Sequence, residues 1–91
     1  AGEITDFKLG QNYPNPFNPS TSIKFDIPVS GFVSIKVFDV SGKEVYSLVN
    51  EVRSAGRHEV TFNASGLSSG VYYYRIASGN FNDIKKMILV K

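Results

Sequence analysis

The chain has 91 residues, enough for one domain at about 100–200 residues per domain, and at that size it buries at best about two-thirds of its unfolded surface. With 42% hydrophobic and 20% charged residues it is not a disordered chain, and without cysteine it has neither disulfides nor thiolate metal sites. The net charge of +2 is uneven: Lys8, Lys24, Lys36, Lys43, Arg53, Arg57 and Arg75 are matched by Glu3, Asp6, Asp26, Asp39, Glu44, Glu51 and Glu59, whereas Lys85, Lys86 and Lys91 face only Asp83.

Too few cations share a face for a nucleic-acid surface. No run of about 18 apolar residues is present, so no transmembrane helix is expected. Ala1–Gly10 has neither the basic start nor the apolar centre of a signal peptide. The first residue is not Met, and the chain is expected to be a piece of a larger protein.

No segment places apolar residues at helical spacing over three turns, and alternation with period two runs through the chain. A short strand is expected near Phe7–Leu9. Gln11–Ser20 (QNYPNPFNPS) carries prolines at 14, 16 and 19. Each removes a ladder donor and extends its predecessor, so the segment reads as a polyproline-like lead-in, pinned by Tyr13 and Phe17, that ties the N-terminus to the domain. The alternative reading is a proline-rich ligand for a groove.

Strands follow at Ile23–Ile27, Val33–Val37, Val45–Val49, His58–Phe62, Val71–Ala77 and Ile84–Val90. Ser41-Gly42 is expected to join the second and third of these, with Asp39 anchoring the turn. Gly79-Asn80 suits a two-residue hairpin because both residues tolerate positive φ. The spacing predicts one domain over 1–91, an all-β, immunoglobulin-like antiparallel sandwich of about seven strands, with residues 1–20 as lead-in and 21–91 as sandwich. Its expected core is Ile23, Phe25, Val33, Ile35, Val37, Leu48, Phe62, Tyr72, Tyr74, Ile76, Met87 and Leu89.

The residues offer little chemistry. Gly66-Leu67-Ser68-Ser69-Gly70 matches G-x-S-x-G, but a nucleophile elbow needs a strand before it and a helix after it. The only histidine, His58, lies before Ser68, the wrong order for that fold. Without a second histidine or any cysteine a zinc site is not expected, and no calcium-loop motif is present. No cofactor is expected. Asn63-Ala64-Ser65 is a glycosylation sequon, meaningful only in a secreted eukaryotic protein. Alternation sends Tyr72 and Tyr74 inward with Ile76 and leaves Tyr73 outward, the one candidate for stacking a ligand. In the final segment Met87 and Leu89 share one face, and Lys86, Ile88 and Val90 share the other. Lysines on such a strand either protect an edge from pairing or are read by a receptor, and the residues alone do not separate the two.

Five segments in order carry a resemblance: Leu9–Thr21 (LGQNYPNPFNPST), Val37–Val45 (VFDVSGKEV), Ala55–His58 (AGRH), Ser69–Arg75 (SGVYYYR) and Lys85–Met87 (KKM). Together they resemble the C-terminal sorting domain of the type IX secretion system, type A, a family similar to the immunoglobulin-like domain of flagellar hook-capping proteins. The resemblance covers nearly the whole chain, from Leu9 to Lys91. It implies a non-catalytic signal at the extreme C-terminus of a larger secreted enzyme or adhesin. Such a parent crosses the inner membrane by an ordinary N-terminal signal. The folded domain then directs it across the outer membrane of a Gram-negative bacterium to the cell surface.

Implied partners are the type IX translocon and sortase proteins and the upstream catalytic or adhesin domain of the same parent. Removal of the domain by the sortase is expected to fall near or before Ala1. Gly70 and Tyr72 match the family's G-x-Y element, and Lys85 and Lys86 match its terminal basic element, with the ending at Lys91 in the usual place. Recognition is expected to read the folded surface plus the last strand, by strand addition. Deletion of residues 85–91 is expected to abolish export. Two rival functions remain: a carbohydrate-binding accessory module of a secreted glycoside hydrolase, using Tyr73, and a structural immunoglobulin-like spacer or assembly subunit.

Overall fold

Alternating apolar and polar residues on a pleated strand put one row of side chains on each face. The computed structural model describes residues 4–91, and in it the alternation becomes seven strands: β1 (Lys8–Leu9), β2 (Ser20–Ile27), β3 (Gly31–Phe38), β4 (Glu44–Arg53), β5 (Gly56–Asn63), β6 (Gly70–Ser78) and β7 (Phe81–Leu89). The expected processing point near or before Ala1 lies outside the described residues. All strand pairings are antiparallel. They build a three-stranded sheet in the order β1-β2-β5 and a four-stranded sheet in the order β4-β3-β6-β7. This is the expected sandwich, and no helix occurs among the described residues.

The inward rows meet between the sheets. Ile23, Phe25, Ile27, Val33, Ile35, Val37, Phe62, Tyr74, Ile76, Met87 and Leu89 are almost wholly removed from solvent there. Each large apolar side chain so buried stabilises the fold by about 1.5–3 kcal/mol. Leu48 departs from the expected core. Ile35 pairs with Val49 and Lys36 with Ser47, so Leu48 is left over as a bulge. The bulge shifts the phase of β4, and Val49 takes the inward position while Leu48 is half-buried. A second irregularity between Val37 and Phe38 leaves Val45 without a register partner.

The turns follow their residues. Asp39 Oδ1 accepts hydrogen bonds from the Ser41 amide (2.9 Å), the Ser41 hydroxyl (2.6 Å) and the Lys43 amide (3.1 Å). These donors favour the ionised carboxyl, the Ser41 hydroxyl most of all, and hold its pKa below the ordinary value. Between Ser78 and Phe81 only Gly79 takes positive φ (58°), the glycine-first arrangement of a type II′ hairpin; Asn80 does not.

Candidate functional site

β7 is the last strand of the four-stranded sheet, and β6 lies on one side of it. On its other side the terminal half meets Gln11–Phe17. Gln11 Nε2 donates to the Lys86 carbonyl at 2.8 Å. The Ile88 amide donates to Asn15 Oδ1 at 3.0 Å. The Phe17 amide donates to the Ile88 carbonyl, and the Val90 amide donates to the Phe17 carbonyl, both at 2.9 Å. Phe17 thereby forms a parallel bridge with Leu89, and its ring is buried beside Phe62. Phe17 and the amides of Gln11 and Asn15 thus do for β7 what an eighth strand would do, in a segment where proline forbids a regular ladder.

The same segment also reaches the other sheet. Tyr13 and Ser22 exchange two backbone hydrogen bonds at 2.9 Å, and the Gly10 amide donates to the Lys24 carbonyl at 2.8 Å. Between these attachments lies a buried polar knot. The Tyr74 hydroxyl donates to the Gly10 carbonyl (2.6 Å) and accepts from the Asn12 amide (2.8 Å). Asn12 Nδ2 donates to Thr21 Oγ1 (3.0 Å) and to the Pro14 carbonyl (3.2 Å), and Thr21 Oγ1 donates to the same carbonyl (2.9 Å). Asn12, Thr21 and Tyr74 are all buried, and each has a partner, as burial of polar groups demands. Burial pushes the Tyr74 phenol up to about 12.

Two expectations for this segment are therefore revised. It is not one extended polyproline-like run: the chain bends at 14–16 and 18–19. Phe17 pins it as expected, but Tyr13 is 81% exposed and contributes through its backbone.

The sequence-predicted site residues do not form one cluster. Gly70 opens β6 with φ of 152°, a value that disfavours any side chain although the space around it is open. The Tyr72 side chain is in the core, and its hydroxyl donates to the Ser68 carbonyl at 2.7 Å, tying down the loop before β6. That loop contains the G-x-S-x-G match and leads into a strand, as expected. Lys91 lies against the same loop: its Nζ donates to the Ser65 carbonyl (2.9 Å) and its amide to Ser69 Oγ (3.1 Å).

Lys85 pairs with Tyr74 in the inward row of β7, whereas Lys86 pairs with Tyr73 in the outward row. The two lysines point to opposite faces of the sheet, with Lys85 half-buried and Lys86 exposed. Strand addition along the terminal half of β7 is excluded, because that edge is occupied; among the described residues no backbone segment pairs with the Phe81–Lys85 half, although the Phe7 ring stacks on Phe81. Tyr73 is half-buried beside Phe38, its register partner on β3, so the outer face offers this one aromatic pair at that point.

Sequence reasoning missed the parts of Gln11, Asn12 and Asn15. The available signal was their type: amides packed between prolines and aromatics must find partners if buried. His58 is half-buried, with its ring stacked on Phe25 at 5.2 Å and Nε2 donating to the Ser54 carbonyl at 2.7 Å. Among the described residues no cluster of three His, Asp or Glu side chains could hold a metal ion, and no helix is long and apolar enough to cross a membrane.

Comparison with known proteins places these features in a family. Residues 11–91 match the family model described as the secretion system C-terminal sorting domain. The matched span starts at Gln11, whose side chain holds the terminal half of β7. No curated protein matches the sequence. Among solved structures, the fold is similar to part of PorZ, an essential bacterial surface component of the type-IX secretion system of Porphyromonas gingivalis. The TM-score is 0.62 at 21% identity, over 93% of this chain and 11% of that one. The chain thus spans about a tenth of that neighbour, and the likeness is one of fold.

Proposed function

The chain belongs to the family of secretion system C-terminal sorting domains, and from that premise we propose that it carries a larger parent protein across the outer membrane of a Gram-negative bacterium. The family implies a type IX sorting signal, a secreted parent delivered toward the cell surface, and contact with the secretion machinery. Domains of this family are non-catalytic in general. The observation that carries the reading is the match over 11–91, which includes both the Gln11–Phe17 segment and the strand it grips. On this reading the domain is recognised folded by translocon and sortase proteins. Gly70 and Tyr72 set the shape of the Ala64–Ser69 loop, and Lys85, Lys86 and Lys91 supply charge. The whole of 1–91 acts as one unit beside an upstream catalytic or adhesin domain.

The test is export of a periplasm-targeted fluorescent protein fused ahead of residues 1–91, in a host with the type IX system. Ending the chain at Asp83 is a poor control. It removes Met87 and Leu89, both buried, and so takes away about 3–6 kcal/mol from a fold whose total stability is about 5–15 kcal/mol. Substitution of Lys85, Lys86 and Lys91 by Gln keeps the core. Surface and medium fluorescence from the intact fusion, reduced severalfold by the triple substitution, is the expected result. A folded intact fusion that stays in the periplasm would overturn the sorting role.

A further inference from the structure

The two outer faces of the sandwich carry different chemistry. On the three-stranded sheet the charges are matched across strands. Lys24 is the register partner of Glu59, and Asp26 lies between Lys8 and Arg57, with Arg57 Nε 3.6 Å from its carboxylate. Ser22 and Thr61 complete that row of polar side chains. Opposite charges directly across strands satisfy one another and leave little for a partner.

On the four-stranded sheet the outward rows bring Phe38 beside Tyr73, Tyr73 beside Lys86, and Arg75 between Lys36 and Ile84. Phe38, Val40, Tyr73 and Ile84, with Arg75, line a shallow depression of about 370 Å³. Val40 is 73% exposed and Ile84 is 55% exposed. Asp39 also lines this depression and Glu44 lies next to Phe38 and Arg75, and both carboxylates are engaged within the domain. Glu44 is 3.4 Å from Lys36 Nζ, and the Asp39 carboxylate accepts the three hydrogen bonds of its own turn. Arg75 has only a neutral partner, Asn82 Oδ1 at 3.2 Å, and neither it nor Lys86 makes an ion pair among the described residues. An apolar hollow flanked by two unmatched cations calls for a complement with an apolar centre and an acidic rim.

We propose that this outer face, centred on Tyr73, Arg75, Ile84 and Lys86, is the docking surface of the domain, and that its partner is a protein surface presenting an apolar side chain flanked by carboxylates. The inference rests on the sorting function and gives the chemistry of the contact. The apolar side chain fills the hollow between Phe38, Val40, Tyr73 and Ile84. One carboxylate engages the guanidinium of Arg75 and a second meets Lys86. A second copy of this chain is a poor occupant, because two such faces brought together oppose cation to cation. Lys85 points to the other face of the sheet and takes no part.

Two measurements test the surface. In the export assay, Arg75→Glu with Lys86→Glu is compared with Lys24→Glu with Arg57→Glu on the opposite face, each with its melting temperature recorded. Loss of at least tenfold of export from the first pair alone, at unchanged melting temperature, is expected. Equal export from both pairs overturns the surface while leaving the sorting function intact; an unaltered fusion that is folded but not exported overturns the sorting function instead.

The second measurement needs no export. A hexapeptide with Leu and Phe flanked on each side by two glutamates is titrated into the isotope-labelled 91-residue chain and followed by NMR. Shifts confined to Tyr73, Arg75, Ile84 and their neighbours are expected, weakened at least tenfold by the Arg75→Glu, Lys86→Glu pair and absent with a lysine-flanked peptide. Shifts on the three-stranded face, or none, overturn the proposal. So does polysaccharide binding that is lost with Tyr73→Ala but indifferent to the charge reversals, or a dimer held together by this face.

Discussion

The two halves of β7 have the same neighbour on one side and opposite situations on the other. From the Lys86 carbonyl to the Val90 amide the outward backbone groups are taken by Gln11, Asn15 and Phe17. In the Phe81–Lys85 half no other segment among the described residues does this, and the Ile84 amide is met by the adjacent Asp83 carboxylate at 2.9 Å. An uncovered edge is a template for another strand, and a covered one is not. Of the two adjacent lysines, Lys85 therefore ends the open half and Lys86 begins the sealed one. At Lys86 the side chain and the sheet face stay open, but the edge does not accept another strand.

That contrast is open to measurement. The greatest effect is expected at Phe17, whose buried ring and backbone both hold the seal: Phe17→Ala should cost about 3–5 kcal/mol, seen as a lowered midpoint in denaturant unfolding. Unaltered midpoints would mean that the seal is ornamental.

Next comes alkaline pH. The Tyr74 phenol is raised to about 12 in the fold, by burial first, against about 10 unfolded. A raised pKa means that the folded state holds this proton more tightly. Its stabilisation is complete below about pH 10 and is lost as pH climbs through about 12, a fall approaching 3 kcal/mol. Tyr74→Phe should flatten that part of the stability–pH curve, and an unchanged slope would place its origin elsewhere.

Asn15→Ala should cost about 1 kcal/mol, the usual net worth of one hydrogen bond, and should speed hydrogen exchange at the Ile88 amide more than at Ile84. On the open half, Ile84→Thr should change stability by no more than about 0.5 kcal/mol, because its side chain faces solvent. A larger loss there would erase the distinction between the halves.

Much of this was legible in the residues. Alternation alone placed six strands and sent Tyr72, Tyr74, Met87 and Leu89 inward, because a two-residue period has a unique solution wherever one face is buried. It failed at Leu48, where a bulge inserts one residue and reverses the phase beyond it. The same alternation already separates Lys85 from Lys86, since neighbours on a strand cannot share a face. The seal was not legible. Gln11 and Lys86 lie 75 positions apart, and no local pattern announces which distant carbonyl a side-chain amide will find. For the same reason the pairing of Phe38 with Tyr73, which shapes the outer face, depends on the register between β3 and β6 and cannot be counted from either strand alone.

The direction of the Gln11–Phe17 segment has a mechanical meaning. It runs parallel to the end of β7, as the contacts advance from Gln11–Lys86 through Asn15–Ile88 to Phe17–Val90. Tension applied ahead of residue 11 and beyond residue 90 pulls these two segments past each other along their length. The hydrogen bonds are then sheared together rather than opened in sequence as in a zipper. Resistance to such a pull is governed by the rate of unfolding rather than by its equilibrium. A fold of modest thermodynamic stability can therefore hold its shape under tension along the chain that carries it.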